Sequence, residues 1–125
     1  METHIEERLF RLGVEQFNTK EFFAAHETWE ELWLAAAEPE KTFLQGIIQV
    51  AAALHHYTRN NPAGAQSLLR QGLAKLEQFP SVHRDLQLED LRERLRHWLA
   101  ALDAGRDLGE SELPRIQTGG PHFSS

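Results

Sequence analysis

Apolar residues recur at three- and four-residue steps along almost the whole chain, and no stretch alternates apolar with polar as a half-buried strand would. The spacing predicts a first helix over 3–17, with Ile5, Leu9, Leu12 and Phe17 as its buried positions. "FNTKE" then interrupts the pattern. Asn18 has Glu21 three residues on, close to a capping box, so a second helix is expected from Thr19 to Ala37, stopping before "EPE". Pro39 suits the first turn of a third helix that reaches Arg59. The turn "RNNPAG" (59–64) introduces a fourth helix from Pro62 to near Phe79. "SVHRDLQ" reads as a short connection to a fifth helix, whose Leu88, Leu91, Leu95, Trp98 and Leu102 form an amphipathic stripe suited to core packing or to pairing across a two-fold axis.

These elements predict an all-α fold, a compact bundle of about five helices over residues 1–103. From 104 to 125 the composition shifts to Gly, Pro, Asp and Ser, giving an irregular C-terminal tail pinned by Leu108, Leu113, Ile116 and Phe123. No internal repeat or second domain is evident.

Composition narrows the function classes. At 125 residues the chain is long enough to bury a real core unaided. It has no cysteine, which excludes thiol catalysis, disulfide scaffolding and thiolate metal sites. Thirteen Lys and Arg against nineteen Asp and Glu leave a net charge of −6, so no nucleic-acid partner is expected. The basic run "RERLRH" (92–97), interleaved with Asp90 and Glu93, reads as solvated helix surface. The longest apolar run, "GIIQVAAAL", is too short for a membrane span. "METHIEERLF" lacks the basic-then-apolar order of a signal peptide, and a cytoplasmic location is expected.

Candidate chemistry lies in the second and third helices. At roughly 100° per residue, Glu30 falls about 40° from His26 and Trp33 about 20° to the other side. Phe22, Trp29 and Ala37 share that arc, whereas Glu27 and Glu31 swing away, so His26 and Glu30 are expected on the aromatic face with Trp29 and Trp33 as walls. A carboxylate there costs several kcal/mol unless it is paired or coordinated. In the third helix Gln45, Gln49 and His56 make one polar stripe on an otherwise apolar element, and Gly46 permits close approach of a neighbour. Packing the two helices on each other would bring His26 and Glu30 to Gln49 and His56. His55 points away from Gln49 and reads as a packing or surface residue.

The spacing H-x-x-x-E-x-x-W (His26, Glu30, Trp33), with "FNTKEFFAAHE" before it and "LQGIIQVAAALHHYTRNNPAGA" after, resembles the domain-of-unknown-function 309 family over about Leu9 to Leu76. Carried over by position, the resemblance marks His26, Glu27, Glu30, Trp33, Gln45, Gly46, Gln49, His56 and Asn61. Where the family commonly has Gly-Asn, this chain has Asn60-Asn61. The resemblance implies a small helical bundle with a motif suggested to bind metal, and it brings no established reaction.

Three readings of the cluster remain open. A divalent transition metal, such as zinc, iron, manganese or nickel, would be held by His26, Glu30 and His56 with Gln49 or water completing the set. A pocket for a small-molecule ligand could form from the same residues, supported by Glu27, Gln45, Gln49 and Asn61. The structural alternative is a protein-interaction module in which they are a buried hydrogen-bond network. "HETWE" is not H-E-x-x-H, so a zinc-peptidase reading fails.

Overall fold

The computed structural model describes residues 2–119. Five helices carry the architecture: α1 (Thr3–Asn18), α2 (Phe22–Ala35), α3 (Glu40–Thr58), α4 (Pro62–Leu76) and α5 (Leu88–Asp103). Each packs on the next in sequence, and α3 meets α4 most extensively. The all-α expectation holds, with one exception. "SVHRDLQ" contains a two-stranded hairpin, β1 (Val82–His83) and β2 (Leu86–Gln87), turned by Arg84 and Asp85 in the left-handed region at φ 48° and 65°. Strands of two residues cannot show alternation, and a lone aspartate is a weak turn signal.

Asn18 closes α1 rather than capping α2, and Glu21, at the N-cap position of α2, makes no side-chain cap. Lys20, at φ 68°, makes the break instead. The Asn18 amide is used across the molecule: Nδ2 donates to the Ile116 carbonyl (2.9 Å) and Oδ1 accepts from the Ile116 N–H (2.8 Å). Beyond it Thr118 bridges to Leu86, and the Gly119 N–H donates to the Asp85 carbonyl at 2.7 Å. The tail therefore lies as an added strand on the hairpin. Leu108, Leu113 and Ile116 are buried as expected, while Phe123 lies outside the described residues.

The α1 face differs from the sequence reading, and the α5 stripe packs into the core. In α1 the buried positions are Phe10, Gly13, Val14 and Phe17, while Ile5 and Leu12 are 47% and 42% exposed. The helix carries two apolar stripes, and the one with the aromatic rings packs inward. In α5, Leu88, Leu91, Leu95 and Trp98 are all buried within the chain. Trp98 meets Tyr57 edge-on at 5.5 Å, and the Tyr57 hydroxyl accepts from the Leu108 N–H at 2.7 Å. That much of the face is consumed by packing within the chain, while Leu102 is partly exposed.

"RERLRH" is not wholly solvated either. Arg92 is buried and donates to the carbonyls of Leu76 and Phe79, both at 2.7 Å, and to Glu89 at 2.7 Å. It supplies partners for orphan carbonyls that the end of α4 would otherwise leave in the core.

Candidate functional site

The core face of α2 is Phe22, Ala25, Thr28, Trp29 and Leu32. Its centre lies near Ala25, so His26 falls on the margin and Glu30 is turned out to solvent. Trp33 explains the difference from the sequence reading. Its ring is not a core wall: it is half-buried at the rim beneath the Lys41 ammonium, 4.0 Å from the ring centre, and Lys41 also donates to the Trp33 carbonyl at 2.8 Å. Counting Trp33 as core pulled the expected face toward Glu30. Trp29 is fully buried, its Nε1 donating to the Phe10 carbonyl at 3.2 Å, and so walls the α1–α2 contact instead of a site.

The polar stripe of α3 exists, but it faces α4. Gln49 Nε2 donates to Gln71 Oε1 (3.1 Å), and Lys75 Nζ donates to Gln49 Oε1 (3.0 Å). Gly46 permits the close approach, again by α4: a β-carbon on Gly72 would stand 2.8 Å from the Gly46 carbonyl oxygen. Gln45 is half-buried. His56 Nδ1 accepts from Asn61 Nδ2 at 3.0 Å, while Asn61 Oδ1 accepts from the Gly64 N–H at 3.0 Å and caps α4. His56 and Asn61 thus build the α3–α4 joint. His26 and Glu30 lie on α2, and Gln49 and His56 are committed to the α4 side of α3. Among the described residues no three His, Asp or Glu side chains come together to hold a metal ion.

What α2 meets is the other histidine of the pair. His55 stands 5.2 Å from the ring of Phe23, and His26 stacks on that same ring at 5.8 Å with an interplanar angle of 18°. His56 is next to His55, ring centres 6.2 Å apart. Partial burial, then the positive charges of Arg59, His56 and His26, hold the His55 pKa below the ordinary histidine value. The Nδ1 atom of His26 is buried without a hydrogen-bond partner among the described residues.

The outer face of α2 is equally defined. Phe23 and Leu34, eleven positions apart and so about 20° apart on the helix, are 51% and 70% exposed. Glu27 and Glu30 lie between them, both exposed, with Glu31 beside them. The carboxylates of "HETWEE" are therefore solvated, and burial is not their cost to offset. His55 is the packing residue that the wheel suggested, whereas Phe23 and Leu34 carried no expectation, although their eleven-residue spacing is legible in the sequence.

Residues 10–68, from within α1 to within α4, match the family described as Domain of unknown function (DUF309). Over these residues the chain is similar to the DUF309 family. It is also similar to the "Uncharacterized protein" of Aquifex aeolicus (strain VF5), 32% identical over 90 residues that make up 71% of this chain and 27% of the relative. Similarity to the "Uncharacterized protein YpuF" of Bacillus subtilis (strain 168) is 35% over 108 residues, 84% of this chain and 54% of that protein. The chain thus spans only 27% and 54% of the curated relatives it matches. No described helix is long and apolar enough to cross a membrane.

Proposed function

We propose that this chain is a protein-interaction module that docks a basic, amphipathic helix along the outer face of α2. The observation that carries the reading is the pairing of exposed Phe23 and Leu34 on one face with Glu27 and Glu30 between them. Isolated exposed apolar side chains are ordinary, but two at matching azimuth, about 17 Å apart along the helix axis at 1.5 Å per residue, make a register. A partner helix would set apolar residues against Phe23 and Leu34 and lysine or arginine against the carboxylates. His26 and His55 both pack on the Phe23 ring, so the anchor is held before the partner arrives. The reading gives the charged part of the motif a role at the surface that needs no metal.

The test is a fluorescence titration with a synthetic amphipathic leucine–lysine helix peptide. Saturable binding is expected, weakened by salt and by about tenfold in Phe23→Ser or Glu30→Lys. Absence of binding, or binding indifferent to both substitutions, sinks the reading. A metal at His26, Glu30 and His56 is the competing reading. Near-stoichiometric metal lost in both His26→Ala and Glu30→Gln would replace the docking account.

A further inference from the structure

A second site, separate from the outer face of α2, lies between α1, the Arg84–Asp85 turn and the tail strand. These three segments line an open cleft of about 730 Å³, in the size range of small-molecule sites. Its floor is apolar, made by Phe10, Val14 and Leu86. The Asn18–Ile116 pairing and the Leu86–Thr118 bridge hold the tail in place as one wall.

Each segment brings one arginine to the wall: Arg11 from α1, Arg84 from the hairpin and Arg115 from the tail. Arg84 is held in place, its guanidinium 4.4 Å from the centre of the Phe10 ring and bonded to Glu40 at 3.2 Å. Arg11 and Arg115 have no ion-pair partner among the described residues. Carboxylates share the wall. Glu7 and Glu15 flank Arg11 at four-residue spacing, and Asp85 comes from the turn.

This charge pattern selects among ligands. A pure anion meets the three carboxylates, and a pure cation meets the guanidiniums, so either is opposed by half the wall. A molecule with both signs around an apolar body is opposed by neither. Arg84 and Asp85 both occupy left-handed backbone in this turn, and both side chains line the cleft.

We propose that the cleft binds a short apolar peptide with free ends. Its carboxylate would sit at Arg115, its ammonium at Glu15, and its side chains on Phe10, Val14 and Leu86.

The experiment is an NMR titration of the full chain with leucyl-phenylalanine, beside its N-acetylated, C-amidated form and decanoate. The free dipeptide should give saturable shifts at Val14, Leu86 and Thr118. Capping both ends should weaken binding by about tenfold or more, and Arg115→Gln or Glu15→Gln by about tenfold each. Both substituted side chains are exposed, and an unchanged spectrum elsewhere confirms the fold. No saturable shift with the free dipeptide overturns the proposal, as does equal binding of capped and free forms. Decanoate binding as tightly as the dipeptide would overturn the two-sign recognition.

Discussion

The indole of Trp29 occupies the space that a side chain at position 13 would need: a β-carbon on Gly13 would stand 2.1 Å from Trp29 Nε1 and 2.5 Å from two further ring atoms. The ring is fully buried and bonded through Nε1 to the Phe10 carbonyl, so it has no room to retreat. Gly13→Ala gains about 1 kcal/mol of helix propensity but overpacks the α1–α2 contact by about 3 kcal/mol. Net destabilisation of about 2 kcal/mol is expected in urea unfolding; a stabilised variant would contradict the packing.

Arg92 and Arg94 make a matched pair for a second test. Arg92 is buried, bonding two carbonyls near the end of α4, whereas Arg94 pairs only with exposed Asp90 at 2.8 Å. Arg92→Met should cost about 3 kcal/mol by stranding those carbonyls. Arg94→Met should cost under about 0.5 kcal/mol. Equal losses in chemical denaturation would show that the burial of Arg92 carries no weight.

How far the fold was legible follows from the same geometry. Long amphipathic helices were readable because their period repeats over several turns, as in Leu88 to Trp98. The direction of a face was harder. In α1 both Ile5–Leu9–Leu12 and Phe10–Val14–Phe17 satisfy the helical period, and only tertiary packing chose between them. For the candidate site, the wheel correctly grouped Gln49 with His56, but an angle within one helix does not say which neighbour lies on that side. α3 has two neighbours, and the stripe went to α4 while His55 went to α2. The hairpin was invisible because its strands are two residues each, too short to alternate, and Asp85 alone is a weak turn signal.

Acid titration should report the histidine cluster. Partial burial first, then the charges of Arg59, His56 and His26, favour neutral His55, so its folded pKa lies below its unfolded value. The unfolded chain then binds the proton first as pH falls. Stability linked to His55 is intact above the unfolded pKa of about 6.5 and is lost as pH drops through the interval down to the folded value. NMR should find His55 titrating below an ordinary histidine, with Arg59→Gln moving it upward. A His55 that titrates at or above the ordinary value would contradict this environment.

Among the described residues no ligands converge on a metal position, and a chelator provides the simplest check. EDTA should leave the thermal midpoint unchanged within about 1 °C, because removing a tightly bound ion from the folded state alone would lower it visibly. A fall of several degrees, restored by one added metal, would show ligands gathering in a way the folded geometry does not contain.

Asn18→Ala removes both hydrogen bonds to Ile116 and should cost about 1–2 kcal/mol. The loss should be local. Amide exchange at Ile116, Gln87 and Gly119 should quicken, while α3 keeps its protection. Uniform loss of protection would mean that the tail is part of one indivisible cooperative unit.

The Asn18–Ile116 contact joins positions 98 apart in the chain, whereas the main helical contacts join each helix to the next. Near contacts close at little entropic cost and can form in the order of synthesis, but the distant one must wait for both ends. Assembly is therefore expected to be vectorial through α5, with the tail strand arriving last. The cleft between α1, the hairpin and the tail is a product of that final step, so a molecule bound there would select chains that have finished folding and would slow the first event of their unfolding.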